Sequence, residues 1–268
     1  MDAYFKNRRV WITGASSGLG EALARALAAE GASLILSARN QPALERVAAQ
    51  CREAGSREVI VHALDLADTN AIGASAAKLL EQVGKVDVLI NNGGISQRDY
   101  ALQTSLEVDE KLMRVNYLGT VALTKAVLPH MLLHELGHIV TISSVVGKFG
   151  SPLRSSYSAS KHALHGFFDS LRAELGDSPV RITLICPGYI RTDISKNALT
   201  GDGTPQGTMD QATDKGMAPE VFARKALKAI KDGREEALIG GGKELLAVWM
   251  KRFFPGILSS ILRKAKVT

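Results

Sequence analysis

The chain has 268 residues, 46% hydrophobic and 22% charged, and a net charge of +6. That supplies one sizeable α/β core and excludes extended disorder. Two cysteines, Cys51 and Cys186, are too few for a disulfide framework and lack metal-ligand spacing, which predicts a reducing compartment and no metal.

The N-terminus runs through Lys6, Arg8 and Arg9 straight into an apolar strand, which leaves no room for a signal peptide. Nowhere are eighteen consecutive residues apolar, so a cytoplasmic chain without a membrane-spanning helix is expected. The strand over 9–13 is followed by Gly14-Ala15-Ser16-Ser17-Gly18-Leu19-Gly20 and a helix over 21–30. Strand, glycine turn and helix make a phosphate cradle: glycine lets the backbone approach a pyrophosphate, and the helix N-terminus offers unpaired N–H groups. The same turn also occurs as a plain connection without a ligand.

A second strand over 33–37 ends in Ala38-Arg39-Asn40, where a site for NAD usually carries a carboxylate for the ribose 2′-OH. No acid stands there. Arg39 is instead available to a 2′-phosphate, with Ser16 and Ser17 as further donors, unless it is only a solvated loop charge. A helix over 42–54 and a strand over 58–62 lead to Asp65-Leu66, placed to meet an adenine, and Asp68 is a good cap for a helix over 69–83. The strand over 86–90 closes in Asn91-Asn92-Gly93-Gly94, small enough for a ligand's close approach at a strand's carboxyl end.

A helical run over 106–134 carries Asn116 among apolar residues, which implies a satisfied structural hydrogen bond or a polar task. The strand over 138–143 delivers Ser144, thirteen residues before Tyr157-Ser158-Ala159-Ser160-Lys161. Tyr157 and Lys161 share one helix face, so the ammonium, with a bound cationic cofactor, would favour an ionised phenol and make Tyr157 an acid/base near neutral pH. A strand over 181–186 ends at Pro187-Gly188-Tyr189-Ile190-Arg191-Thr192. Residues 193–218 lack apolar periodicity and read as a lid; a helix over 219–231 and a strand over 236–239 complete the body. Alternating strands and helices predict an α/β fold with a doubly wound parallel sheet.

The tail from Lys243 holds six Lys/Arg against one acid, a net of +5 that leaves about +1 for the rest and argues against a nucleic-acid groove. Its apolar pairs Leu245/Leu246, Trp249/Met250, Phe253/Phe254, Ile257/Leu258 and Ile261/Leu262 recur every four residues, and Pro255-Gly256 should split it into two short helices. Packing on the body, covering a partner subunit's pocket and lying in a membrane interface compete for that stripe, with packing or oligomer contact favoured.

In this order, TGASSGLG from Thr13, NNGG from Asn91, Asn116, Ser144, YSASK from Tyr157 and PG…T from Pro187 resemble the short-chain dehydrogenase/reductase family, in its shorter, hydroxysteroid-dehydrogenase-like branch, over residues 9 to about 240. The resemblance implies a Rossmann-type sheet of about seven strands with helices on both faces, in one catalytic domain over 1–242. It implies Tyr157 as general acid/base, Lys161 lowering its pKa and holding the nicotinamide ribose, Ser144 on the substrate oxygen and Asn116 in the proton relay. Gly14, Ser16, Ser17, Gly18, Leu19, Gly20, Arg39, Asp65, Leu66, Asn92, Ile190 and Thr192 would hold NADP(H). One departure is Gly93 where the family more often has alanine, a lost methyl expected to loosen the turn slightly. The implied activity is NADP-dependent interconversion of a secondary alcohol and a ketone on a lipophilic substrate such as a steroid, retinoid or lipid, in a pocket of Val145, Val146, Phe149, Tyr189 and the lid. A 3-oxoacyl carrier-protein reductase is the alternative, and a non-catalytic NADP-binding scaffold a third. Association as a dimer or tetramer through 106–134 and 156–176 is also implied.

Overall fold

The computed structural model describes residues 4–265; residues 1–3 and the last three residues of the basic tail, 266–268, lie outside the described residues. Seven strands form one parallel sheet in the order β3-β2-β1-β4-β5-β6-β7. They are β1 (Arg9–Thr13), β2 (Ser33–Ser37), β3 (Val59–Val61), β4 (Val88–Asn91), β5 (Gly137–Ile142), β6 (Val180–Pro187) and β7 (Glu236–Ile239). Both faces of the central strands are buried, which is why they read as unbroken apolar runs in the sequence.

Strand periodicity sends alternate residues to opposite layers. Val10, Ile12, Leu34, Leu36, Val88 and Ile90 pack against α1 (Gly18–Ala29), α2 (Gln41–Glu53) and α8 (Pro219–Lys231), around Leu27, Leu44 and Phe222. Trp11, Ile35 and Leu89 face α3 (Thr69–Val83), α5 (Gly119–Leu133) and α6 (Ser155–Leu175), around Ile72, Leu123 and Phe168. Phe168 and Phe222 are fully buried, so truncating either to alanine costs about 3–5 kcal/mol. Chain order reverses direction between β1 and β4, and a cleft opens at the carboxyl ends of the strands there, where open α/β sheets bind ligands.

Two local features differ from the sequence expectation. The helical run begins as α4 (Leu106–Met113), widens to a π-helical turn over Arg114–Leu118, and resumes as α5, so Asn116 sits where the helix ladder is dilated. The 193–218 segment is not structureless. It contains the short α7 (Gln211–Asp214), Leu199 bridges both Gln97 and Pro205, Met217 bridges Ile190, and Ser195, Ala198, Asp210 and Thr213 are buried.

The tail forms α9 (Gly242–Phe253) and α10 (Pro255–Leu262), divided at Pro255 as its position dictates. Leu258 is its one fully buried side chain among the described residues; with Ala247, Val248, Met250 and Leu262 it covers Val145, Val146 and Phe149. No helix among the described residues is long and apolar enough to cross a membrane.

Candidate active site

The cleft has a volume of about 1040 Å³ and runs from Arg39 to Leu199 and Met209. At its floor Thr13 ends β1 and Gly14 turns the chain with φ +64°. A side chain at Gly14 would meet the Gly93 Cα at 2.7 Å, and one at Gly20 the Gly14 carbonyl at 2.1 Å, so α1 packs onto the turn only because both are glycine. Gly20 accordingly shapes the turn from behind and does not line the cleft, whereas Gly14, Ser16, Ser17, Gly18 and Leu19 do. Ser17 is extended and its hydroxyl caps no α1 N–H, which leaves that helix end open towards a phosphate.

Asn92 and Thr13 lock the two central strand ends together. The Thr13 hydroxyl accepts from the backbone N–H groups of Asn92 and Gly93 at 3.0 and 2.9 Å, and the Asn92 amide donates to the Thr13 carbonyl at 3.0 Å. At Gly93, an added methyl would lie 2.6 Å from Leu66 Cδ1. Leu66 therefore occupies the space that an alanine would take, and the expected loosening is replaced by a different packing partner.

At the far end of the cleft, Ser37, Ala38, Arg39, Asn40, Asp65 and Leu66 form the wall. Arg39 is exposed and makes no hydrogen bond or ion pair with the described residues, while Asp65 uses Oδ1 to accept from the Ala67 N–H at 2.9 Å. An open helix terminus, a glycine floor and an unengaged cation at the end of β2 fit a dinucleotide whose ribose carries a phosphate. Arg46, two turns further, is already committed to Glu21 at 2.7 Å.

Ser144, Tyr157 and Lys161 line the opposite end. Ser144 follows β5 and caps a short turn over Val145–Gly147, accepting from the Val146 N–H at 3.3 Å. Tyr157 lies in the first turn of α6. Burial pushes its phenol pKa up; Arg98, the Ser144 hydroxyl and Arg154 oppose that shift. Lys161 is buried, its pKa is lowered to about 8 by desolvation, and its ammonium donates to the Ile142 carbonyl at 2.9 Å. It lies 5.8 Å from the Tyr157 ring centroid, and the cations that oppose the upward shift of the phenol are Arg98 and Arg154.

Asn116 does not line the cleft. From the π-helical turn its Oδ1 accepts from the Ile95 N–H at 2.8 Å, and its Nδ2 donates to the Ile95 carbonyl at 2.9 Å and to Ser160 Oγ at 3.0 Å. Ser160, to which no sequence motif assigns a role, in turn donates to the Tyr157 carbonyl at 2.8 Å. Ile190 and Thr192, after β6, close the cleft from the side.

The expected pocket residues are displaced. Val145, Val146 and Phe149 are covered by α9 and α10, and Tyr189, although half-buried, donates its backbone N–H to Glu244 of the tail at 3.1 Å instead of lining the cleft. The substrate end is bounded by Ile95, Ser96, Ile194, Leu199, Pro205 and Met209. Behind Ser143, His165, Cys186 and Glu236 bring potential ligand atoms within 4.8 Å of one another, but Lys148 already pairs with the Glu236 carboxylate and the buried Cys186 thiol is pushed up to about 12.

The model of the short chain dehydrogenase family matches residues 8–202. A dehydrogenase/reductase SDR family protein 7-like of Anopheles gambiae is 46% identical over 265 residues, 97% of this chain and 84% of the relative. The dehydrogenase/reductase SDR family member 7B of Bos taurus is 43% identical over 267 residues, 98% of this chain and 82% of the relative. Among solved structures, an alcohol dehydrogenase from the archaeon Thermococcus sibiricus complexed with 5-hydroxy-NADP is 30% identical with a TM-score of 0.76, covering 88% of this chain and 97% of that one. A short chain dehydrogenase/reductase from Burkholderia phymatum in complex with NAD is 26% identical with a TM-score of 0.83, covering 100% and 98%. With the parallel sheet, the glycine turn and the Ser144, Tyr157 and Lys161 cluster on one cleft, these matches establish that the chain belongs to the short-chain dehydrogenase/reductase family of nicotinamide-dependent oxidoreductases.

Proposed function

We propose that the chain is an NADP-dependent oxidoreductase that interconverts a secondary alcohol and a ketone on a lipophilic substrate, with Tyr157 as general acid/base. The observation that carries this reading is the placement of Ser144, Tyr157 and Lys161 at one end of a cleft whose other end holds the unengaged Arg39, with no acid at the end of β2. Similar solved structures hold either a NADP derivative or NAD, so the preference rests on Arg39. Arg39, Ser16 and Ser17 would hold the 2′-phosphate, the α1 terminus the pyrophosphate, Asp65 and Leu66 the adenine, and Lys161, Ile190 and Thr192 the nicotinamide half. When bound, the nicotinamide supplies or accepts the hydride.

In the reducing direction Ser144 donates a hydrogen bond to the substrate carbonyl oxygen, and Tyr157 gives that oxygen its phenolic proton. In oxidation the tyrosine takes the hydroxyl proton. Lys161 holds positive charge beside the phenolate, and Asn116, tied to Ile95 and Ser160, orients the relay behind it. Ile95, Ile194, Leu199, Pro205 and Met209 make an apolar substrate end that suits a lipophilic ketone, and residues 193–218 act as its lid.

A homodimer or homotetramer is supported by Leu106, Leu118 and Leu133, which stay exposed along α4 to α5. The tail's outer face supports peripheral contact of a cytoplasmic chain with a membrane: Trp249, Phe253 and Ile257 are more than half exposed, beside Lys251 and Arg252. The test is a screen of ketones, steroids, retinoids and acyl thioesters with NADPH, read at the nicotinamide absorbance band. Turnover of acyl thioesters alone would favour the carrier-protein reductase, and cofactor binding without any turnover the scaffold.

A further inference from the structure

We infer that Arg98, Arg154 and Asp210 form a buried ion triad that latches the 193–218 segment over the substrate end of the cleft and sets the electrostatic surroundings of Tyr157. The inference rests on the role proposed above for Tyr157. Arg98 follows β4 and is 8% exposed; Arg154 stands three residues before Tyr157 and is 3% exposed; Asp210 belongs to the lid, next to the cleft-lining Met209, and is 3% exposed. One carboxylate oxygen, Asp210 Oδ2, accepts from Arg98 Nε at 2.7 Å and from an Arg154 guanidinium nitrogen at 3.1 Å. Its other oxygen accepts from Gln206 Nε2 at 3.1 Å, and the Asp210 N–H donates to Ser195 Oγ at 3.3 Å, so the lid's own residues hold the carboxylate in place. Arg98 also donates to Ser96 Oγ and to the Gln97 carbonyl, both at 2.7 Å, and Ser96 lines the cleft.

Burying three charges is a poor way to gain stability, because desolvation consumes most of the attraction and a well-packed apolar set does as well. What the triad does achieve is specific: it joins three separate segments at one point beside the catalytic tyrosine. Its reach to Tyr157 is electrostatic. Burial pushes the phenol up; Arg98 is the largest opposing influence, ahead of the Ser144 hydroxyl and Arg154. Burial alone would also raise the Asp210 carboxyl, yet Gln206 and the two arginines keep it below its ordinary value, so it stays ionised at neutral pH.

The other charges facing the phenol are few. Lys161 stands on the same helix, Asp109 of α4 accepts from the Ser156 hydroxyl next to Tyr157, and Lys111 of α4 with Arg191 and Asp193 after β6 line the cleft further along, while α9 and α10 pack the apolar Ala247, Val248, Met250 and Leu262 on this side. The triad thereby couples lid seating to the charge around Tyr157. With the lid down, Asp210 offsets part of the arginine field; with it lifted, that field acts on the phenol undiminished.

Asp210→Asn, Arg98→Met and the double variant test this by sign. Each single variant breaks the latch, so backbone hydrogen exchange across 193–218 rises in both. The effects on Tyr157 are opposite. Asp210→Asn removes a negative charge and raises the ratio of ionised to neutral phenol at a fixed pH by about tenfold; Arg98→Met lowers it by about as much, and the double variant returns it towards the unmodified chain. The readout is tyrosinate absorbance just after an alkaline pH jump, taken as the difference between each protein and its Tyr157→Phe counterpart. Shifts of the same sign, no shift, or unchanged exchange across 193–218 would overturn the triad. If Asp210→Asn does not fold, a drop in Arg98→Met that the double variant reverses still decides the matter. None of these readouts needs turnover: opposite shifts in an inactive chain would sink the oxidoreductase reading alone, and same-sign shifts in an active one the triad alone.

Discussion

Lys161 Nζ donates to the Ile142 carbonyl at 2.9 Å and stands 5.8 Å from the ring centroid of Tyr157, one helical turn away on α6. The lysine is therefore held by the end of β5, one turn from the tyrosine it would serve in the proposed reaction. Tyr157→Phe keeps the ring and removes only the proton-bearing oxygen, so kcat should fall by about 10²–10⁴-fold with cofactor affinity nearly unchanged. Lys161→Ala should lose both rate and cofactor affinity. Steady-state kinetics with fluorescence titration of NADPH separate the two, and a Phe variant retaining more than about a tenth of kcat would remove Tyr157 from the chemistry.

Cofactor choice should follow Arg39. A charge-assisted pair to the 2′-phosphate contributes about 1.5–3 kcal/mol, so Ala38→Asp combined with Arg39→Leu should lower the NADP-to-NAD ratio of kcat/KM by roughly 10- to 100-fold. Equal kcat/KM for both cofactors in the unmodified chain would count against an arginine-held phosphate.

The strands were legible because a parallel sheet buried on both faces demands continuous apolar runs, and the glycine turn because Gly14 and Gly20 leave no room for a Cβ. Asn116 stood out as a polar residue in an apolar helix, but the π-helical turn that aims it did not, since that depends on Ile95 and Ser160, both remote in sequence. Val145, Val146 and Phe149 are apolar and follow Ser144 in sequence, as pocket residues would; only the folded tail reveals what covers them. Arg98 and Arg154 reach Asp210 across 112 and 56 residues, and no local pattern marks a pairing made by tertiary packing alone.

Acid should destabilise the fold through two buried imidazoles. His138, between Tyr4 and Thr183, has its pKa lowered to about 3, and His165 to about 4, in both cases chiefly by burial. As pH falls through 6.5 the unfolded chain takes up these protons while the folded chain does not, so stability drops until the folded values are reached. With both histidines contributing, the slope between pH 6 and 4.5 should approach about 2.7 kcal/mol per pH unit, and His138→Gln should halve it. Urea unfolding at a series of pH values measures this; half the slope would mean that one imidazole already binds a proton in the fold, and a flat profile that both do.

The tail should bind membranes with its outer face and hold the body with its inner one. Glu244, the only acid from Lys243 onward, is engaged by the backbone N–H groups of Tyr189 and Gly241, which pins the start of α9 to the loop after β6 and leaves the cations without a neighbouring acid on the tail. Trp249 packs at a tilt of 45° and 50° against Phe253 and Phe254, with centroids 5.1 and 5.5 Å away, in a cluster that is about half exposed. Aromatic residues beside Lys251 and Arg252 suit the headgroup boundary of an anionic bilayer. Truncation after Gly242 would also strip the cover from Val145, Val146 and Phe149, so its loss of binding could reflect a damaged body. Trp249→Ser with Phe253→Ser and Ile257→Ser is cleaner, because the inward Val248, Met250, Leu258 and Leu262 are untouched. Full-length protein should sediment with liposomes containing anionic lipid, less so as salt rises, and the triple variant should stay in the supernatant with an unchanged unfolding midpoint. If the full-length chain never sediments and the triple variant changes only its oligomeric state, the outer face belongs to a second subunit and not to a membrane.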